Sequence, residues 1–185
     1  MTEKLFYKDS HLHEFTAQVL SCEQTEKGYK VVLDRTAFFP EGGGQYGDIG
    51  WLNDVEVFDT QEKDDVVCHY TKEALEPGKD VVGKLNWEVR FDRMQQHSGE
   101  HIISGLVHGR YGYDNVGFHL ADDYCTMDFN GPITPEALKE IEEEANRIVF
   151  QNLDIHILYP SKEELKDLEY RSKIEIEGQV RIVDI

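Results

Sequence analysis

The chain has 185 residues, 39% of them hydrophobic, and sets 19 basic against 37 acidic side chains, a formal net charge of −18 at pH 7. This length can bury a core in one large domain or two small ones. The acid excess disfavours a general nucleic-acid coating protein, so any RNA partner must be met by a local basic patch. No charged-then-apolar leader and no apolar run approaching 18 residues is visible, which makes a cytoplasmic location the default expectation. Cys22, Cys68 and Cys125 are scattered, odd in number and without C-x-x-C spacing, and are expected to be reduced, buried thiols.

The first half is strand-rich and punctuated by turns. Phe15 to Cys22 and Tyr29 to Leu33 flank Glu26-Lys27-Gly28 and predict a hairpin. Further strands are predicted over Gly50 to Phe58, Asp65 to Tyr70 and Val81 to Trp87, with turns at Asn53-Asp54 and Pro77-Gly78. Short strands at this spacing suggest a small barrel.

After about residue 88 the pattern changes. Asp92, with Gln95 three residues on, resembles a capping box and predicts a helix running to about His108, with the apolar residues Ile102, Ile103, Leu106 and Val107 on one side. Two short strands follow at Gly117 to Leu120 and Tyr124 to Phe129. Thr134-Pro135-Glu136 opens a second helix, threonine as cap and proline at the first helical position, with Leu138, Ile141, Ala145, Ile148 and Val149 at helical spacing. Leu153 to Tyr159 predicts a strand, Ser161 to Glu164 a capping box for a short third helix, and Gln179 to Ile185 a half-buried strand. The acidic runs Glu140 to Glu144 and Lys162 to Glu169 are solvated helix faces.

His97-Ser98-Gly99-Glu100-His101 lies in the first of these helices. Two imidazoles four residues apart share one helix face and can share a metal ion, for which Zn²⁺ is the usual occupant. His108 and His119 lack such a partner and are expected to be structural or surface residues. A second unusual segment, Thr36 to Gly50, places five glycines within the nine residues from Gly42 to Gly50. It has neither the P-loop nor the G-x-G-x-x-G pattern. Consecutive glycines let a backbone approach a ligand closely, or simply make a tight turn.

The two segments together, T-x-F-x-P-E-G-G-G-Q-x-x-D-x-G and then H-x-x-x-H about fifty residues on, resemble the editing domain of alanyl-tRNA synthetases and, more closely, the free-standing alanyl-tRNA editing proteins of the AlaX family. Gly117-Phe118-His119-Leu120, Met127-Asp128-Phe129 and Glu144-Ala145-Asn146 extend the resemblance over most of residues 5 to 185. It implies an α+β fold, with a small β-barrel-like domain over 1–88 and an α/β two-layer editing domain of the threonyl/alanyl-tRNA synthetase type over 89–185.

It also implies an aminoacyl-tRNA hydrolase, a cytoplasmic protein of protein biosynthesis that binds tRNA(Ala) mischarged with serine or glycine and cleaves the ester with the assistance of zinc. His97 and His101 match the family's first metal-ligand pair. Thr36, Gly43, Gly44 and Gln45 are the expected wall of the aminoacyl pocket, with Thr36 and Gln45 in catalytic roles, and an active cleft between the domains would bring them toward the histidines. The family's second ligand pair is a C-x-x-x-H motif beyond a strand similar to Val180 to Ile185. This chain has no such motif, so the zinc site is expected to be incomplete through C-terminal truncation.

Two other readings stay open. His97-x-x-Glu100-His101 also fits the H-x-x-E-H pattern of inverzincin peptidases, with Glu100 as general base and a downstream glutamate as third ligand. Alternatively the chain is a tRNA-binding or regulatory fragment without catalysis. For phosphate contacts the local basic candidates are Lys84, Arg90, Arg93 and Arg110.

Overall fold

A computed structural model of the chain describes residues 2–121, 124–168, 180 and 182–184. The elements in chain order are β1 (Glu3–Lys4), β2 (Glu14–Thr25), β3 (Gly28–Leu33), β4 (Arg35–Thr36), β5 (Gly50–Leu52), β6 (Val55–Lys63), β7 (Val66–Thr71) and β8 (Asp80–Leu85). The helix α1 (Trp87–Tyr111) follows, then β9 (Asn115–Leu120), β10 (Cys125–Phe129), α2 (Pro135–Gln151), β11 (His156–Leu158) and β12 (Ile182–Asp184). Two compact units divide the chain. One holds residues 1–97 and 119–125 and the other holds 98–118 and 126–185, the division falling inside α1 after His97.

In the first unit β2, β3, β7, β6, β5 and β8 close into a barrel in that order. Period-two alternation produces it: along β2 the residues Phe15, Ala17 and Val19 are buried while Glu14, Thr16 and Gln18 face out. These meet Val31, Leu33, Phe38, Leu52, Val57, Val81 and Leu85 in one apolar core. The hairpin predicted around Glu26-Lys27-Gly28 is the β2–β3 pair, and Thr25 lies opposite Gly28. Gly28 is required there, because it holds φ +140° and a Cβ would sit 2.2 Å from the Thr71 carbonyl oxygen. The predicted strand from Gly50 to Phe58 is two strands, β5 and β6, turning at Asn53, which takes a positive φ of 53°.

The first helix begins earlier than Asp92. It starts at Trp87, where Asn86 accepts from Arg90 N–H through its carbonyl at 3.0 Å and from Val89 N–H through its side chain at 3.4 Å. Trp87 packs on Phe91 at 5.4 Å between ring centroids and on His13 at 5.1 Å. These contacts fix a first turn that the Asp92 capping pattern hid, and the histidine motif is therefore mid-helix.

In the second unit Thr134 accepts from the Ala137 N–H at 3.2 Å and Pro135 opens α2, as the sequence predicts. Asn152, at φ 50°, closes α2 with its N–H on the Val149 carbonyl. β11 and β12 pair antiparallel, Ile157 opposite Val183. Both capping-box bonds form between Ser161 and Glu164, at 2.8 and 3.3 Å, yet the predicted third helix is one 3₁₀ turn, Glu164–Lys166. The expectations for Gln179, Arg181 and Ile185 lie outside the described residues. Among the described residues no helix is long and apolar enough to cross a membrane. The three cysteines are free; Cys68 is buried, while Cys22 and Cys125 are half-buried.

Candidate functional site

The glycine-rich segment is a loop closed at its base by Phe39 and Asp48. The Asp48 N–H donates to the Phe39 carbonyl at 2.8 Å, and the Phe39 N–H donates to the Asp48 carboxylate at 2.7 Å. The barrel holds both ends: Glu41 N–H donates to the Thr60 carbonyl at 2.9 Å, and Thr60 Oγ1 donates to the Asp48 carbonyl at 2.7 Å. Gly42 and Gln45 bond each other reciprocally at 3.1 Å across the tip, which Gly43 and Gly44 turn with φ of 62° and 83°. Gly47 passes so close to β6 that a Cβ would lie 2.1 Å from the Thr60 carbonyl oxygen.

Helix α1 grips this loop along one face. Arg90, Arg93 and His97 are three and four residues apart and so lie one above another. Arg90 is buried in an ion pair with the equally buried Asp48, and its guanidinium also lies over the Phe39 ring at 5.6 Å. Burial pushes the Asp48 carboxyl up and Arg90 opposes that shift. Arg93 donates to the Gly47 carbonyl at 2.9 Å. One turn further, Nδ1 of His97 meets Oε1 of Gln45 at 3.2 Å, and His97 Cε1 is 3.6 Å from where a Gly43 side chain would begin. An amide oxygen only accepts, so Nδ1 of His97 donates in this contact.

The structure thus brings Gly43, Gln45 and His97 together. Thr36 is placed differently. It is fully buried in the barrel wall, where its hydroxyl meets Nε2 of His69 at 2.8 Å and accepts from Phe38 N–H at 3.1 Å. His69 Nδ1 faces the Val31 carbonyl at 3.2 Å and must donate to it, leaving Nε2 to accept the Thr36 proton. Burial, partly offset by that bond, lowers the His69 pKa to about 4, so the ring is neutral. His69 was legible only as a strand residue. Its partners are brought to it by the β3–β7 register, in which it lies opposite Val31.

Candidate donor atoms of His97, Glu100 and His101 all lie within 4.8 Å of one another on α1. Two imidazoles and a carboxylate are a donor set suited to Zn²⁺, and the Gln45 carbonyl orients His97 as outer partners of zinc-binding histidines do. The residues fit the metal. Glu100 itself is buried: Oε1 accepts from Ser104 at 2.7 Å and from Asn115 at 2.6 Å, while Oε2 is 3.6 Å from Nδ1 of His101. A general base needs access to water, and Glu100 is buried with Oε1 already accepting two hydrogen bonds.

Of the basic residues considered for phosphate contacts, Arg90 is unsuitable because Asp48 buries it. Arg110 is paired with Glu140 at 3.3 Å and Glu144 at 3.7 Å, whereas Lys84 is exposed. His108 pairs with Asp114 at 3.0 Å, and His119 packs edge-on against Tyr46 at 6.2 Å.

A family model described as tRNA synthetases class II (A) matches residues 2–89. Alanyl-tRNA editing protein AlaX-L of Pyrococcus horikoshii is 36% identical over 100% of this chain and 48% of its own length. The chain is similar in sequence to proteins named alanyl-tRNA editing proteins. Alanyl-tRNA editing protein Aarsd1 of Rattus norvegicus is 34% identical over 83% of this chain and 40% of its own. An alanine–tRNA ligase of Ignicoccus hospitalis is 32% identical over 100% of the chain and 21% of its own length. The chain spans about half the length or less of the curated relatives it matches.

Proposed function

We propose that this chain performs hydrolytic editing of tRNA(Ala), cleaving the ester that joins mischarged serine or glycine to the tRNA 3′ end, with residues 89 onward forming a two-layer editing unit of the threonyl/alanyl-tRNA synthetase type. The observation that carries the reading is the Gln45–His97 contact, which joins the glycine-rich loop to the H-x-x-x-H helix at the level of single atoms. The relatives named as alanyl-tRNA editing proteins support the same reaction class.

In this reading His97 and His101 hold zinc, with the Glu100 carboxylate beside them. When bound, zinc supplies Lewis-acid polarisation of an ester carbonyl or activation of water. The chain's own residues set the geometry. Gln45 orients the His97 ring by accepting its Nδ1 proton, and is itself held by Gly42. Gly43 and Gly44 are exposed and without side chains, so an aminoacyl group can lie against their backbone. Thr36, fully buried with its hydroxyl proton committed to His69, acts by fixing Phe38 and the start of the loop. The −18 charge demands that tRNA be held by a few local contacts, of which Arg93 and Lys84 are candidates.

The test is release of serine from Ser-tRNA(Ala) by this chain with zinc supplied. Release above the uncatalysed rate, lost in His97→Ala, supports editing. Tight tRNA binding without release would instead identify a binding fragment.

A further inference from the structure

Tyr46 follows Gln45 directly and is 44% exposed, although it sits on a loop pinned at every neighbouring residue. The guanidinium of Arg93 lies over its ring at 5.7 Å from the centroid, while the same side chain donates to the Tyr46 and Gly47 carbonyls at 3.5 and 2.9 Å. His119 meets the ring at 6.2 Å with planes 81° apart. A large aromatic ring has therefore been left in contact with solvent and given a fixed orientation by a cation and an imidazole. Its own packing energy does not account for that, since a buried ring would stabilise the fold more.

We propose that Tyr46, held by Arg93 and His119, is a stacking platform for a purine base at the end of an RNA strand. The inference rests on the editing reading of the Gln45–His97 site. In an aminoacylated tRNA the ester sits on the ribose of the terminal adenosine, so a ribose is all that separates the scissile bond from the base. Gln45 at the histidine and Tyr46 in solvent are consecutive residues, so the exposed ring is adjacent in the chain to the residue that meets His97. Stacking is also the contact this chain can best provide: at net charge −18 phosphate attraction is weak, whereas base–aromatic stacking needs no positive surface and Arg93 strengthens it locally.

The experiment measures binding of a tRNA(Ala) acceptor-stem hairpin carrying serine through a non-hydrolysable amide. It is made with a terminal adenosine or with a terminal nucleotide lacking its base, and tested against wild type, Tyr46→Ala and Tyr46→Phe by fluorescence anisotropy. Tyr46→Ala is expected to weaken the adenosine form about tenfold and leave the baseless form unchanged, with Tyr46→Phe near wild type. Equal binding of both RNAs by wild type and Tyr46→Ala, or equal weakening of both RNAs, overturns the platform while leaving serine release by wild type as support for editing. Wild type that neither binds these RNAs nor releases serine overturns both.

Discussion

Thr36 and His69 are joined by a 2.8 Å hydrogen bond whose polarity is fixed from outside: the Val31 carbonyl takes the Nδ1 proton of His69, so Thr36 must donate to Nε2. The same hydroxyl receives the Phe38 N–H, and one side chain thereby completes two buried polar groups. Thr36→Val removes the donor and the acceptor without changing volume. It is expected to cost about 2–3 kcal/mol in urea unfolding, with Thr36→Ser retaining most of the stability. Equal stability of the Val and Ser variants would show that the bond contributes nothing.

His69 also predicts a pH dependence. Its pKa is lowered from 6.5 to about 4 by burial, so the unfolded chain takes up a proton first as pH falls. Stability from this group is complete above about pH 6.5 and is lost between there and pH 4, a total of about 3 kcal/mol at 1.36 kcal/mol per unit. Asp48, raised by burial, acts in the opposite sense, so the group is isolated by difference. Urea melts across this range should show a steeper acid loss for wild type than for His69→Leu, and parallel curves would refute the assignment.

The buried Asp48–Arg90 pair anchors the loop to α1. Removing one partner strands the other charge in the interior, which costs about 3–5 kcal/mol. Arg90→Met should therefore lower the melting temperature more than Asp48→Asn combined with Arg90→Met, which removes both charges. A double variant worse than the single one would mean that Asp48 stabilises the loop without Arg90, through its bond from the Phe39 N–H, and would contradict the stranded-charge reading.

The sequence showed what local rules control. The β2–β3 hairpin followed from Gly28, and α2 from Thr134 and Pro135, because each signal and its consequence lie within a few residues. The start of α1 was missed because Asp92 carries a good cap pattern while Trp87 gains its turn from His13, a residue far away in sequence. Ser161 makes its capping bonds without a helix to follow, since a cap satisfies the first N–H groups but does not supply a packed face. At the site, the two motifs were legible as separate segments, but Gln45 on His97, Arg90 on Asp48 and Thr36 on His69 depend on barrel closure and strand register. No spacing rule reports those.

Gln45 should control metal affinity through His97. Loss of an outer partner of a zinc-binding histidine lowers affinity about 10- to 100-fold. Competition with a chelating dye should show that loss in Gln45→Ala, and no change in Glu41→Ala, which alters the same loop away from the histidine. Unchanged zinc affinity in Gln45→Ala would separate the loop from the metal site.

The most direct test of the account is single-turnover release of serine from Ser-tRNA(Ala) by wild type, Gln45→Ala, His97→Ala and the double variant. If loop and helix form one site, His97→Ala abolishes release and Gln45→Ala adds no further loss to it, so the effects are strongly non-additive. Independent effects that multiply in the double variant, or release that survives His97→Ala, would contradict a single editing site built from Gln45 and His97.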